Sequence, residues 1–154
     1  MKAEDAQDTA DMVMGIIRPF CTNVTVAGSL RRHKEDIGDV DIVAIPTDMV
    51  GLQTALNNSY DLITNGAKVK SFLDYKGVHV DLYLAEQAEF EPTLMHRTGS
   101  KWHNIAIAKR ATAMGYHLST SKGILGGSGQ VVASTEKEIF RVLGLTYKEP
   151  WERE

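Results

Sequence analysis

A single cysteine, Cys21, occurs in 154 residues, so no disulfide can close within the chain, and no Cys/His cluster has zinc-ligand spacing. A reducing compartment is expected, with the cytoplasm as the default. Long apolar runs are also missing. None approaches the roughly 20 residues that a membrane-spanning helix needs, and Met1 to Asp11 is acidic where a secretory leader would be basic and then apolar. There is no repeat, low-complexity tract or collagen-like bias. Neither a membrane partner nor disorder is expected, and class must come from pattern.

Hydrophobic residues make up 43% and charged residues 24%, enough for one good core or two small lobes sharing an interface. A monomer is expected. The formal net charge of -3 is unfavourable for a nucleic-acid binder, but it averages two unlike halves. Residues 1–92 hold fifteen acidic and eight basic side chains, whereas residues 93–134 hold Arg97, Lys101, Lys109, Arg110 and Lys122 and no acid. The later part can face phosphate.

Between Ala3 and Arg18, Ala6, Ala10, Val13, Met14 and Ile17 recur at helical spacing behind an acidic first turn, and Pro19 ends the helix. Asn23 to Ala27 reads as a short β-branched strand broken by Gly28-Ser29. Val40 to Ile45 is a second strand, Met49 to Leu56 a helix, and Tyr60 to Ile63, Lys68 to Tyr75 and Val78 to Leu84 further strands. Past Pro92 the character changes. His96 to Met114 reads as a helix interrupted at Thr98-Gly99-Ser100, Thr120 to Gly129 as a turn-rich loop or hairpin, and Thr135 with Glu138 as a capping box opening a helix to Leu143. The expected class is α+β: a mixed sheet with helices on one face over residues 1–91, then a smaller α+β unit over 92–154.

The chemistry concentrates in Gly28-Ser29-Leu30-Arg31-Arg32 and, six residues on, Gly38-Asp39-Val40-Asp41. Side chains alternate along a strand, so Asp39 and Asp41 point the same way and their carboxylates converge. An isolated Asp-x-Asp is most often a wet surface. Two features argue otherwise. Asp81 is the one acid inside the apolar strand Val78 to Leu84, where an unpaired carboxylate costs desolvation. If the strands are neighbours, Asp39, Asp41 and Asp81 form a cage for two hard cations, Mg²⁺ or Mn²⁺. Gly28 and Ser29 sit at a strand-to-helix turn that lets backbone N–H groups and a hydroxyl reach phosphate oxygens, with Arg32 able to fork onto them. By contrast Gly126-Gly127-Ser128-Gly129 lacks the lysine and flanking elements of a P-loop and reads as a hairpin tip. Trp102 and Trp151 read as packing residues.

Gly28-Ser29, Asp39-x-Asp41 and Asp81 resemble the nucleotidyltransferase superfamily, and the two glycine-led segments resemble family X, the polymerase beta-like DNA polymerases. The likeness continues through Thr98-Gly99-Ser100, Asn104, Gly115-Tyr116-His117-Leu118 and the closing Leu143-Gly144-Leu145-x-Tyr147-x-x-Pro150-x-x-Arg153. It covers nearly the whole chain. The resemblance implies a palm and a terminal domain, as in the minimal viral members, and transfer of a deoxynucleoside monophosphate from a nucleoside triphosphate to a 3′-end of gapped or free-ended DNA. It implies that Asp39 and Asp41 bind both metals, and that Asp81 binds one and is the nearest proton acceptor. Gly28, Ser29, Arg32 and Gly38 would hold the triphosphate, Asn104 the nucleotide's minor-groove side, and His96, Gly99 and Ser100 the sugar pocket. Lys101, Lys109, Arg110 and Lys122 are candidate contacts to DNA phosphates.

Three positions depart from that pattern. His96-Arg97 stands where many relatives carry an aromatic pair, Ala108 where an arginine faces the template, and His79 where an arginine precedes the third aspartate. Sugar choice and template dependence therefore do not follow from the likeness. Two other readings fit these residues: a nucleotidyltransferase acting on RNA ends, protein or a small molecule, and a non-catalytic subunit that binds DNA ends.

Overall fold

Acids in the first turn and apolar residues at helical spacing build helix α1, Ala3–Ile17, in the computed structural model, which covers Met1 to Glu154. Its buried stripe is Ala6, Thr9, Ala10, Val13, Met14 and Ile17. Pro19 cannot continue the helix and lies in a single 3₁₀ turn, from which the chain enters strand β1, Cys21–Val26. A four-residue helical turn α2, Gly28–Arg31, follows. Next come β2 (Val40–Pro46), α3 (Met49–Ser59), β3 (Leu62–Asn65), β4 (Val69–Leu73) and β5 (His79–Leu84).

These strands form one sheet in the order β1-β2-β5-β4-β3. Only β2 and β5 run parallel; the other neighbours are antiparallel. Alternation then sorts the side chains. Val40, Ile42 and Ala44 of β2 and Val80, Leu82 and Leu84 of β5 enter the main core with α1 and α3. Each fully buried aliphatic side chain contributes about 1.5–3 kcal/mol. On the opposite face Val43 and Ile45 pack with Ala27, Ala85 and the helix α4, Phe90–Thr98, through Phe90 and Leu94. That helix covers one end of the face, and the acidic end stays open. The fold is mixed α+β, with a five-stranded mixed sheet.

Helix α4 begins at Phe90, six residues before the sequence pattern shows it. Pro92 falls in its first turn, where a missing N–H breaks no helical bond. The expected interruption is present. Gly99 adopts φ +69, a conformation that favours glycine, and Ser100 caps α5 (Lys101–Ala113) by accepting from the His103 amide at 3.3 Å. The turn-rich stretch then resolves into three strands: β6 (His117–Ser119), β7 (Gly123–Leu125) and β8 (Val131–Ala133). Three residues are too few to reveal a period of two. Gly126 to Gln130 is the hairpin turn between β7 and β8. Helix α6, Glu136–Val142, is capped by Thr135 Oγ1, which accepts from the Glu138 amide at 3.1 Å, but the reciprocal bond of a capping box is absent there. Ile107, Ala111, Ile124, Ile139, Phe140 and Leu143 form this second core.

A buried charge cluster ties α2 to α6. Glu136 accepts a fork of bonds from Arg31, at 2.6 and 3.1 Å, and one from Arg153, whose side chain is 0% exposed. Arg153 also donates to the Lys148 carbonyl and the Tyr147 hydroxyl, which accounts for the buried end of the closing motif. Burial disfavours the Glu136 carboxylate, yet the Arg31 hydrogen bonds and both guanidinium charges outweigh it and hold its pKa below the usual range. Such a depressed pKa contributes stability above the unfolded value and loses it as pH falls through the folded one. Glu136→Gln leaves two buried arginines undercompensated and is expected to cost about 3 kcal/mol at neutral pH. Urea denaturation of both proteins should show that gap closing as pH drops below the carboxylate range.

Candidate active site

Strand pairing brings the three aspartates together. Asp41 and Asp81 are direct partners in the parallel β2–β5 register, and Asp39 precedes β2 by one residue on the same side. One ligand atom each from Asp39, His79 and Asp81 lies within 4.8 Å of the others. His79 Nε2 is 3.3 Å from Asp81 Oδ1, and its Nδ1 is 3.8 Å from Asp39 Oδ1. The imidazole thus stands between the two carboxylates. Nε2 itself is buried without a hydrogen-bond partner.

Asp41 is turned toward the α2 turn. A Cβ on Gly28 would lie 2.3 Å from Asp41 Oδ2, and Gly28 has φ +59, so both space and backbone require glycine there. The Ala27 amide donates to the Asp41 carbonyl at 2.8 Å, fixing the turn to β2. Burial first, then the charges of Asp81 and Asp39, push the Asp41 pKa up to about 6, with Arg97 and His79 offsetting part of the effect. A carboxyl that resists ionisation beside two others calls for added positive charge. Oxygen-rich donors of this kind suit Mg²⁺ or Mn²⁺, and the partnerless His79 nitrogen is compatible with the latter, so the residues present fit a divalent cation.

The remaining sequence candidates divide. Ser29 lies in the α2 turn and Gly38 in open space just before Asp39. Arg32 reaches across to α4, donating from Nη1 to the Thr98 carbonyl at 2.5 Å, while its buried Nε has no partner. Gly99 lies against that guanidinium, since a Cβ there would come within 3.2 Å of Nη1. Asn104 donates its amide to the His96 carbonyl at 2.8 Å, spanning the bend between α4 and α5. Thus Arg32, His96, Gly99, Ser100 and Asn104 form one connected group. Lys101, Lys109, Arg110 and Lys122 are all exposed, but Arg110 also donates to the Leu143 carbonyl at 2.9 Å.

Several features were not legible in sequence. Tyr83, two residues beyond Asp81, carries the Arg97 guanidinium 4.1 Å over its ring. Burial, followed by the nearby Asp41 and Asp81 charges, pushes its phenol up to about 12. No local pattern joins Arg97 to Tyr83 or Arg31 to Glu136 and Arg153. Trp151, 50% exposed, packs on His33 with ring centres 4.6 Å apart, whereas Trp102 is a correction: it is 70% exposed, with the neighbouring Lys101 ammonium 5.7 Å from its ring centre.

Residues 93–154 match the family model described as the DNA polymerase beta thumb. The chain is 30% identical to rat DNA polymerase lambda in an alignment using 100% of the chain and 33% of that protein. It is 31% identical to the Bacillus subtilis DNA polymerase/3′-5′ exonuclease PolX, over 83% of the chain and 24% of that protein. It is 28% identical to the African swine fever virus repair DNA polymerase X, over 90% of the chain and 85% of the viral protein. The chain therefore spans a third or less of the first two relatives and most of the third. Fold, acidic strand pair and matches agree on a polymerase beta-like class. The matches, with the fold and the acidic strand pair, support kinship with family X of the DNA polymerases.

Because the folded-state pKa of Asp41 lies above its unfolded value of 3.8, its ionisation costs stability at neutral pH, and the cost disappears as the pH falls through about 6 toward 3.8. Asp41→Asn should therefore stabilise the metal-free protein at neutral pH by about 1–2 kcal/mol after allowance for solvent screening. The gain should vanish near pH 4, a trend measurable by chemical denaturation across that window.

Proposed function

We propose that the chain transfers a nucleoside monophosphate from a deoxynucleoside triphosphate to a DNA 3′-hydroxyl, filling gaps or extending ends in repair. The observation that carries this reading is the pairing of Asp41 with Asp81, with Asp39 beside them on the open face of the sheet. The repair polymerases it resembles support the choice of DNA as substrate. In this reading residues 1–91 act as the palm and 92–154 as the nucleotide- and DNA-binding terminal domain.

Asp39 and Asp41 would hold two divalent ions, with Asp81 on the ion nearest the primer. Bound Mg²⁺ or Mn²⁺ supplies charge neutralisation at the phosphate and a lowered pKa at the attacking hydroxyl. Asp81 would accept the hydroxyl proton as the O3′–P bond forms and the bond to pyrophosphate breaks. His79, with Nε2 3.3 Å from Asp81 Oδ1, lies beside that carboxylate. The α2 turn would offer Gly28 and Ser29 to the triphosphate, and Arg32, held at one edge by the Thr98 carbonyl, would supply its remaining N–H groups. Asn104, anchored through its nitrogen to His96, presents its oxygen to the nucleotide, with Gly99, Ser100 and His96 about the sugar. Lys101, Lys109, Arg110 and Lys122 would meet backbone phosphates.

Asp81→Asn is expected to lower primer extension on a gapped duplex by at least about 100-fold, the scale of a lost general base. Nucleotide affinity should stay within a few-fold, because the triphosphate contacts lie on other residues. Near-normal extension by this variant would refute the assignment. Labelled nucleotide entering RNA or protein, with the gapped duplex untouched, would redirect it to another acceptor.

A further inference from the structure

Arg97 is an arginine without an anion. The interior arginines Arg31 and Arg153 each close an ion pair with Glu136, but Arg97, in the last turn of α4, closes none and lies flat on the Tyr83 ring. Stacking of this kind fixes the plane of a guanidinium while leaving its N–H edge free to donate. Its neighbourhood is a cavity of about 270 Å³ between the sheet and the β6–β7 turn, lined also by Lys68, Glu89, Thr120 and Ser121. Two cations, with the hydroxyls of Tyr83, Thr93, Thr120 and Ser121 and the His96 imidazole, face one carboxylate there. Lys68, at the entrance to β4, forms no ion pair and is exposed.

We propose that this cavity is a phosphate-binding subsite, with Arg97 as its fork and Lys68 as its second cation, and that it takes a backbone phosphate of the nucleic-acid strand bound at the active site. The choice of strand over nucleotide rests on the function proposed above and on sheet order. The α2 turn belongs to the β1–β2 side of the aspartates, whereas Lys68 leads into β4, across β5 from them. A triphosphate held at Gly28 and Ser29 would therefore sit across the aspartates from Lys68. The stretch from Arg97 to Lys122 contains no acid, so the positive rim continues from the cavity along the terminal domain.

The test compares wild type, Arg97→Ala and Lys68→Ala, all intact by thermal melting, in binding a one-nucleotide gapped duplex by fluorescence anisotropy over a range of salt. Each substitution should reduce the slope of log affinity against log salt by about 0.9, one phosphate's share. Arg97→Lys, which keeps charge but loses the stacked fork, should keep the slope and weaken binding. Inorganic phosphate, followed through the Arg97 Nε–H resonance, reads the cavity without DNA. If slopes and that resonance are both unmoved, the subsite is refuted and the polymerase reading stands. If Arg97→Ala spares the DNA slope but weakens nucleoside triphosphate binding, the anion belongs to the nucleotide and the strand assignment falls. If phosphate shifts the resonance while wild type ignores the gapped duplex, the anion site is supported and the DNA reading fails.

Discussion

Parallel pairing of β2 with β5 is the constraint on which the site depends, because it sets Asp41 opposite Asp81 on a face that Asp39 and His79 also share. Nothing about three neighbouring carboxylates favours folding. Their cost is met on the reverse of the same two strands, where Val40, Ile42, Ala44, Val80, Leu82 and Leu84 are buried against α1 and α3. A one-residue slip of either strand would exchange these sets, placing aspartates in the core and aliphatics in water. The register is thus specified by the core, and the site inherits its geometry from it. Strain between charges is concentrated at Asp41, the carboxyl wedged against Gly28.

A second constraint couples the two cores. Arg31 ends the α2 turn and forks onto Glu136 at the start of α6, while Arg153 closes the same carboxylate from the far end of the chain. Arg32, the next residue, reaches α4 at Thr98, and Thr98 Oγ1 also accepts from Arg31 at 2.9 Å. Two consecutive arginines therefore fasten the turn beside Asp41 to the terminal segment. A rigid-body shift of that segment would have to break buried, charge-assisted bonds. The turn and the group around Gly99 consequently hold a fixed spacing, the condition for gripping both ends of one ligand.

What the sequence disclosed follows from the range of the forces involved. The β-branched run Val40 to Ile45 and the alternation in Val78 to Leu84 make the strands visible in the sequence, and the strand period of two puts Asp39 and Asp41 on one side. Helix α1 announced itself through Ala6, Ala10, Val13 and Ile17. The start of α4 stayed hidden because Phe90 and Leu94 are too few to set a phase, and β6 to β8 because each is three residues long. Long-range partners were hidden for a deeper reason. Glu136 read as the first turn of a capped helix, and only its placement beside Arg31, 105 residues away, makes it the centre of a buried ion cluster. His79 read as a departure from the pattern before the third aspartate, and the structure adds that it stands between Asp39 and Asp81.

Net charge also acquires meaning only in three dimensions. A site of three aspartates repels polyanions, and at -3 the chain as a whole gives them no attraction. The fold answers locally. Arg32 approaches from the α2 side, Arg97 from α4, and each is held in place by an uncharged partner, the Thr98 carbonyl in one case and the Tyr83 ring in the other. Neither is consumed by an ion pair with the aspartates, so both remain available to a ligand. If Arg97 instead paired directly with Asp41 or Asp81, it would neutralise the acidic site. Holding the cation on an aromatic ring keeps positive charge near the aspartates without satisfying them, and leaves the guanidinium edge unpaired.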